Sequence, residues 1–483
     1  MPMSLDERLW GPRAHTAWIV LAAAFLILCM LGSGALWTQE GRWALICEQM
    51  QRSGDVWHPS LLGEPYFGKP LLSYWAMLVV ASVTGTLDEI ALRLPSALSG
   101  IVAIWCTARI GRRVFGEVTG RVGATLLTTS YMFVFWSRVA SADMMNVAGM
   151  MLAVMWYFEF RNRPGWLASL GFGGILAVAS LAKSPAAAVL ALLAIGPDLL
   201  REGRWRRVLD WRLVVAGVPA VALYLTPFLL LNADQGLGAV FRETLVRYFA
   251  PFDHKGAVYI YFYYLPIYLL PWSLCLPWLV RDRWVHRREL SKDSRWAMWA
   301  VVLGFLFLMG CGSRRSYYIL PVLPFASLVV ADWLVANERR MRIAARGAVA
   351  MFGLFVVWFG IGVPWSETGP ASRRAFAEQV RAVAVLQAPW PQWRVLSCDA
   401  VPSAAFYMHT TDEAQVADPA QPERILEALR AHPRTLLLTR RRHAERLQAL
   451  LPEARMVEQV QSRLPFQEGG DKDLLVAFVP IGP

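Results

Sequence analysis

Charged residues are scarce in this sequence. Asp, Glu, Lys and Arg make up 17% of its 483 residues, whereas 56% of the residues are hydrophobic and the mean hydropathy is +0.38. A soluble domain of this length does not need so large an apolar fraction to form its core. The composition therefore excludes an ordinary soluble protein and predicts that most of the chain lies in lipid.

Cysteine pairs and nucleotide-binding motifs are also lacking. The cysteines show no CxxC pair and no regular spacing, so we expect no metal site. A bridge between Cys47 and Cys398 is left open. Neither a P-loop nor a dinucleotide fingerprint occurs, so we expect that no cofactor is required and leave a role for a divalent ion open.

Apolar runs of about 16 to 22 residues recur along the chain, and a run of that length crosses or nearly crosses a hydrocarbon layer about 30 Å thick. They predict about eleven membrane spans. The spans are 16–37, 92–113, 120–137, 143–160, 166–182, 185–200, 213–231, 259–280, 296–312, 317–336 and 347–366. A cleaved signal peptide is an alternative for the first run, because Arg8 and Arg13 precede it.

The net charge of +12 is distributed as short basic clusters between the apolar runs. This distribution indicates membrane topology rather than nucleic-acid binding. With the N-terminus in the cytoplasm, every strongly basic short loop falls on the cytoplasmic side, as the positive-inside rule expects. The stretch from Leu71 to Gly85 is predicted to be an interfacial helix, because a crossing there would place the later basic loops outside.

This topology leaves residues 38–91, 232–258 and 367–483 on the external side. The last of these alternates short apolar runs (394–397, 435–438 and 474–479) with helical patterns, which is typical of an α/β domain. The predicted fold class is thus a mostly α-helical polytopic membrane protein with a small C-terminal α/β soluble domain. The transmembrane module would comprise residues 1–366.

The segment after the first span contains three motifs that mix charge with aromatic residues. They are Trp-Thr-Gln-Glu-Gly-Arg-Trp-Ala at 37–44, Gly-Asp-Val-Trp-His-Pro at 54–59 and Gly-Glu-Pro-Tyr-Phe-Gly-Lys-Pro at 63–70. The segment resembles the first external loop of the GT-C superfamily, specifically of the aminoarabinose transferase and protein O-mannosyltransferase families. In those families an acidic pair precedes Arg-Tyr-Ala by one residue, and Gly-Asp-Trp and Tyr-Phe-Glu-Lys-Pro follow.

The resemblance extends along nearly the whole chain. Arg138 and Asp143 stand where these families carry an acidic residue in their second external loop, and residues 181–185 resemble their Thr-Lys-Gly turn. Arg247-Tyr248 matches a later Arg-Phe, and residues 314–321 match a Lys-containing Tyr-Ile-Leu-Pro segment.

Two positions depart from the family pattern. The first acidic position, usually Asp and usually assigned as catalytic, is Gln39, which leaves Glu40 alone. The acidic residue before Lys-Pro is Gly68. The family's catalytic assignment therefore does not transfer at its central residue.

The resemblance implies an inverting GT-C glycosyltransferase in the bacterial inner membrane. It would transfer a sugar from a polyprenyl-phosphate carrier, among membrane lipids, to lipid A, another glycan or a protein at the outer face. Two alternatives remain open: a transporter or flippase, and an inactive scaffold of the same fold. Charge is almost absent from the middle of the spans, which favours the enzyme over the transporter.

The chemistry requires cations, because a departing polyprenyl phosphate gains negative charge that Lys and Arg stabilise. The predicted carrier-binding residues are cations on the external side and two tyrosines. They are Arg42, Tyr66, Lys69, Arg138, Lys183, Arg247, Arg314, Arg315 and Tyr318. Anchoring to lipid headgroups is the alternative for each cation, and interfacial anchoring is the alternative for each tyrosine.

An acceptor hydroxyl needs a base, whereas an acceptor that is already an anionic phosphate does not. We hypothesise that Glu40 is this base or orients the acceptor, and that Asp143 assists. The alternative is that Glu40 only pairs with Arg42.

Overall fold

The computed structural model describes residues 4–66, 68–163, 165–201, 210–230, 238, 241–242, 246–250, 256–364, 371–398, 401–410, 415–460 and 474–481. The chain divides into two compact units. Unit 1 comprises Met1–Cys29, Phe67–Ala76 and Arg93–Trp358, and unit 2 comprises Met30–Tyr66, Met77–Leu92 and Phe359–Pro483. Unit 2 thus groups the C-terminal region with much of the first predicted external loop.

Helices form most of the chain up to residue 362. They are α1 (Leu5–Trp10), α2 (Thr16–Leu28), α3 (Thr38–Ser53), α4 (Leu72–Thr84), α5 (Glu89–Val114), α6 (Glu117–Thr128), α7 (Tyr131–Ser137), α8 (Asp143–Phe160), α9 (Trp166–Ala182), α10 (Ala186–Arg201), α11 (Trp211–Leu230), α12 (Ile260–Tyr268), α13 (Leu276–Val285), α14 (Lys292–Gly310), α15 (Leu323–Val335) and α16 (Glu338–Val357). A short turn of helix covers Arg247–Phe249, 3-10 turns cover Trp272–Cys275 and Ser316–Val322, and a π-helical turn covers Trp358–Gly362.

Four of the described helices are long and apolar enough to cross a membrane, or five if one bent pair forms a single span. The chain is therefore a multi-pass membrane protein. The count of eleven spans and the orientation of the termini stay predictions. The stretch from Leu71 to Gly85 contains a helix as expected, α4 (Leu72–Thr84), and its interfacial position also stays a prediction.

Several predicted spans are interrupted. The first apolar run is helical only as far as Leu28, and the run 120–137 is split between α6 and α7. At that break the hydroxyls of Thr129 and Ser130 donate to the carbonyls of Thr125 and Leu126, at 2.7 and 2.8 Å. Such side chains offer the backbone an alternative to continued helix, so apolar length alone could not locate the break.

The predicted span 259–280 is also broken. The chain bends by 111° between the helix Ile260–Tyr268 and the segment Trp272–Val285. Pro271 lies between them and has no backbone N–H to continue a helix. A proline within an otherwise helical pattern is a kink or end signal, which the sequence-based span did not use.

Close helix packing in unit 1 positions the residues discussed below. A Cβ added at Gly149 of α8 would lie 2.4 Å from the Cβ of Ala179 in α9. The two helices therefore approach too closely for any larger residue at position 149. This contact brings the end of α9 beside the beginning of α8.

The C-terminal region forms a mixed five-stranded sheet. Its strands are β3 (Arg394–Ser397), β4 (Gln415–Val416), β5 (Thr435–Arg440), β6 (Arg455–Glu458) and β7 (Leu475–Val479). The strand order is β4-β3-β5-β7-β6, with β4, β3 and β5 parallel and β5, β7 and β6 antiparallel. Its helices are α17 (Arg373–Val385), α18 (Pro402–Met408), α19 (Pro422–Ala431) and α20 (Arg441–Leu450).

This arrangement confirms the predicted C-terminal α/β region. The three apolar runs are β3, β5 and β7, and the central strands β5 and β7 pair in the register Leu437 with Phe478. Leu437, Val476 and Phe478 are fully buried in its core. A two-stranded hairpin, β1 (Ser60–Leu61) and β2 (Glu64–Pro65), lies elsewhere in unit 2. Cys47 and Cys398 are buried free thiols, so the bridge left open above is not formed.

Candidate functional site

A charged pair in unit 1 joins Asp143 to Lys183. Asp143 begins α8, and Lys183 directly follows α9. The Lys183 Nζ atom lies 2.5 Å from Asp143 Oδ1, and Asp143 is 8% exposed. Burial makes each charge costly without the other, so the pair fixes the direction of the lysine side chain. The sequence predicted both residues for the site but not their contact.

Asn146, which sequence reasoning missed, holds the same turn. It lies one helical turn after Asp143, and its Nδ2 donates to the carbonyl oxygens of Ser184 at 3.2 Å and Ala179 at 3.4 Å. The amide therefore ties the backbone on both sides of Lys183 to α8. A polar residue three positions after a site residue in an apolar helix is the signal that could have identified it.

Two aromatic rings also lie close to Lys183. Its Nζ atom lies 4.6 Å from the ring centroid of Tyr318 and 5.8 Å from that of Tyr317. Ammonium groups at such distances are attracted to the electron-rich ring face. Tyr317 in turn packs against Trp136, with ring centroids 4.4 Å apart. Tyr318, predicted for the site, is therefore brought to Lys183.

These groups line a cavity of about 380 Å³ in unit 1. Among the described residues that line it, the charged ones are Lys69, Asp143, Lys183 and Arg247, which together carry a formal charge of +2. Much of the remaining wall is apolar or aromatic. Those residues include Val147, Val189, Leu190, Tyr224, Phe228, Phe249, Phe307 and Leu320. A cavity with clustered cations and long apolar walls suits a ligand that joins an anion to a hydrocarbon chain.

Three other predicted cations of unit 1 are not among the described residues that line this cavity. Nη1 of Arg138 donates to the carbonyl oxygens of Leu26, Ile27 and Cys29, at 3.0, 2.8 and 2.7 Å. These are carbonyls at the C-terminal end of α2, where a helix leaves such groups without intrahelical partners. The contacts give Arg138 a structural role, and its contact with the carrier phosphate stays a prediction.

Arg314 and Arg315 also make contacts within unit 1. Arg314 donates from Nη1 to the Gly256 carbonyl at 2.8 Å and from Nη2 to the Met309 carbonyl at 3.0 Å. The Arg315 guanidinium lies 5.8 Å from the Tyr317 ring centroid. Their binding of carrier phosphate likewise stays a prediction.

Glu40, Arg42 and Tyr66 belong to unit 2. Oε2 of Glu40 accepts the Trp37 backbone N–H at 2.8 Å, and Glu40 is 1% exposed. This contact caps the first turn of α3. The Arg42 guanidinium lies 5.7 Å from the ring centroid of Tyr66. The structure thus gives Glu40 a capping contact, while its catalytic role and its pairing with Arg42 stay predictions.

The loop after α3 contains a second ordered carboxylate. Asp55 Oδ1 accepts the backbone N–H groups of Trp57 and His58, at 2.8 and 3.1 Å, and Oδ2 lies 2.7 Å from His58 Nδ1. The Trp57 N–H and the His58 ring hold the pKa of Asp55 below its usual range.

Among the described residues, no group of three or more His, Cys, Asp and Glu side chains is placed to hold a metal ion.

Comparison with known proteins gives three kinds of similarity. The family model described as dolichyl-phosphate-mannose-protein mannosyltransferase matches residues 68–230. An undecaprenyl phosphate-alpha-4-amino-4-deoxy-L-arabinose arabinosyl transferase of Pseudomonas fluorescens (strain Pf0-1) is 27% identical over 339 residues, which are 67% of this chain and 58% of that protein. The enzyme of the same name from Yersinia pestis (strain Pestoides F) is 27% identical over 368 residues, covering 71% and 63%. The matched region thus spans less than two thirds of the length of these curated relatives.

Solved structures show the same fold. The crystal structure of ArnT from Cupriavidus metallidurans bound to undecaprenyl phosphate matches with a TM-score of 0.73 at 18% identity, covering 96% of this chain and 98% of that one. The apo form of the Archaeoglobus fulgidus oligosaccharyltransferase matches with a TM-score of 0.51 at 10% identity, covering 90% and 70%. The proteins in these matches are transferases, so the transporter alternative is not favoured. The chain has the fold of the GT-C superfamily of glycosyltransferases and resembles the aminoarabinose transferases, as its loop motifs predicted.

Proposed function

We propose that this protein transfers a sugar from a polyprenyl-phosphate carrier to lipid A or to another envelope glycan or protein. The observation that carries the proposal is the cavity of unit 1, which combines Lys69, Lys183 and Arg247 with apolar walls. The similarity to transferases named for undecaprenyl-phosphate-linked 4-amino-4-deoxy-L-arabinose supports this donor class, with that sugar as the first candidate.

The proposed donor matches two chemical features of the cavity, its cations and its apolar walls. Its phosphate would contact the three cations, and the beginning of its isoprenoid chain would lie along apolar residues such as Val189, Leu190 and Phe228. Hydrocarbon contact contributes roughly 25 cal/mol for each Å² removed from water, whereas the charged contacts orient the phosphate.

The proposed reaction is an inverting displacement at the anomeric carbon of the sugar. The acceptor oxygen forms a bond to this carbon while the bond from carbon to the carrier phosphate oxygen breaks. The bonding electrons pass to that oxygen, so polyprenyl phosphate leaves as an anion and requires no proton. Lys69, Lys183 and Arg247 stabilise the growing charge, and Asp143 holds Lys183 in place for this purpose.

The proton of an acceptor hydroxyl must pass to a base. Glu40 is the proposed base, on the strength of its position in the family motif, and an acceptor that is itself a phosphate would not need one. We further propose that the N-terminus is cytoplasmic, that the C-terminal region is external and that the reaction requires no cofactor. Labelling of a Lys69→Cys variant from outside the cell tests the orientation. Activity after treatment with a metal chelator tests whether the reaction requires a metal ion.

The function is tested with the purified full-length protein in detergent. Undecaprenyl phosphate carrying radiolabelled 4-amino-4-deoxy-L-arabinose is the donor and lipid A is the acceptor. We expect label in lipid A with the wild type and a strongly reduced rate with Lys183→Met. Absence of transfer to lipid A, and to envelope glycans and proteins added as alternative acceptors, would overturn the proposal.

A further inference from the structure

None of the residues assigned to sugar transfer lies in the described part of the C-terminal region. It nevertheless makes close contacts with α3, the helix of the same unit that carries Glu40 and Arg42. The contacts occur at Gly41 within α3 and at Leu36, which lies just before this helix.

Gly41 allows two backbones to approach closely. A Cβ added at this position would lie 2.3 Å from the backbone nitrogen of Ser403 and 2.4 Å from its Cα, and Ser403 belongs to α18. Glycine is disfavoured in a helix interior, so its presence between Glu40 and Arg42 calls for a reason. The contact with α18 supplies it.

Leu36 is held through both of its backbone polar groups. Its N–H donates to the Tyr407 hydroxyl at 2.7 Å, and its carbonyl accepts from Nη1 of Arg373 at 3.1 Å. The next residue, Trp37, donates its N–H to Glu40. The chain is therefore fixed by the C-terminal region immediately before the turn that Glu40 caps.

The Tyr407 hydroxyl is itself fixed from a second side. It donates to Oε1 of Glu89 at 2.6 Å, and Glu89, 6% exposed, also forms an ion pair with Arg374. The Arg374 guanidinium lies 5.6 Å from the Tyr407 ring centroid. A buried hydroxyl that both accepts and donates has little freedom to turn, so it defines the place of Leu36.

We propose that the C-terminal region is a positioning element for sugar transfer. Tyr407 and the contact of Gly41 with Ser403 set the place of the first turn of α3, and thereby of Glu40. Neither Tyr407 nor Gly41 touches substrate in this proposal. The catalytic part of the inference rests on the proposed function, since it assigns Glu40 a role in transfer.

The test uses the full-length protein with Tyr407→Phe and Gly41→Ala. Phe keeps the ring and removes the hydroxyl, whereas Ala adds the Cβ that meets Ser403. Displacement of a catalytic group by about 1 Å lowers rates by on the order of 10²-fold, so we expect a loss of that size in kcat in each variant. Binding of undecaprenyl phosphate should be unchanged. Gly174→Ala is the control, because this glycine is also within a helix but has open space around it.

Hydrogen exchange at the amides of residues 36–42 distinguishes a failure of this inference from a failure of the proposed function. We expect faster exchange in both variants than in the wild type. An active wild type with unchanged kcat in both variants would overturn the inference and leave the function intact. An inactive wild type with faster exchange in the variants would overturn the function, while the contact that fixes α3 would stand. Unchanged amide exchange in the variants would overturn the positioning role of the C-terminal region. So would a loss of undecaprenyl phosphate binding that accompanies the loss in kcat.

Discussion

The two units use their charged residues differently. In unit 1, Lys69, Asp143, Lys183 and Arg247 line a common cavity, and the pair Asp143–Lys183 is held by neighbouring polar and aromatic groups. In unit 2, the described contacts of Glu40 and Glu89 are structural: one caps a helix and the other receives Tyr407 and Arg374. Charge at a motif position therefore does not by itself identify a reacting group. What surrounds the charge decides whether it is available to a ligand.

The largest expected effect is at Lys183. Lys183→Met keeps much of the apolar stem and removes the ammonium, so kcat/KM should fall by about 10²- to 10³-fold, the range seen when one charge-stabilising donor is removed. Steady-state transfer assays measure it. Lys292→Met is the matched control, since that lysine is exposed at the start of α14 and is not among the residues that line the cavity. Equal losses in both variants would contradict a specific role for Lys183.

Glu40→Gln tests whether this carboxylate of unit 2 is a reacting group or only a helix cap. If Glu40 is a base for a hydroxyl acceptor, kcat should fall by roughly 10²-fold or more. A phosphate acceptor should show little change, because it has no proton to lose. Glu338→Gln, at a 90% exposed side chain in the first turn of α16, is the control. A thermal midpoint that falls in Glu40→Gln while turnover stays unchanged would leave Glu40 only its capping role.

Asn146→Leu should have an intermediate effect. Its two hydrogen bonds to the backbone beside Lys183 are lost, which costs about 1 to 3 kcal/mol for the carbonyls left without a donor. We expect about a tenfold loss in binding of undecaprenyl phosphate, because Lys183 is less well oriented. Asn337→Leu, which loses the cap of α16, should lower stability without changing this affinity. Equal affinities for the wild type and Asn146→Leu would contradict the assignment.

The smallest effect is expected at Asp55. Its pKa is lower in the folded loop than the ordinary value of 3.8, because the Trp57 N–H and His58 stabilise the carboxylate. This carboxylate therefore stabilises the loop above its unfolded pKa, and the contribution is lost as the pH falls through the lower folded value. The protection factor of the Trp57 amide, which corrects its exchange rate for the intrinsic pH dependence of amide exchange, should fall on acidification in the wild type. In Asp55→Asn the protection factor should be lower throughout and depend less on that titration.

Glu64→Gln, an exposed carboxylate of the same unit, should leave the acid response of Trp57 as in the wild type. An identical acid response in Asp55→Asn would show that the loop does not depend on this titration.

Sequence patterns located much of the secondary structure but not its interruptions. Strands β3, β5 and β7 coincide closely with apolar runs, because a strand with buried residues, alternate or consecutive, has apolar side chains at those positions. The helix breaks at Thr129 and Pro271 do not change hydropathy, so runs defined by hydropathy passed through them. The strands β4 and β6 were missed because short edge strands with exposed or half-buried residues carry little periodic signal.

The motifs likewise predicted the residues Asp143, Lys183 and Tyr318 without predicting their distances. Their sequence separations are large, and spacing along a chain does not determine which helices pack together. Asn146 was missed for the same reason: its role depends on the carbonyls of a different helix end.

The sequence by itself determined that the chain is an apolar, multi-pass protein with a C-terminal α/β region, and its motifs were enough to indicate the GT-C fold. These properties follow from local composition and from residue order. Only the tertiary structure decided which charges gather around the cavity, which carboxylates are engaged in caps and ion pairs, and why a glycine follows Glu40. Such facts depend on close approach between distant segments, and the energy of a charge is set by the groups that surround it in three dimensions.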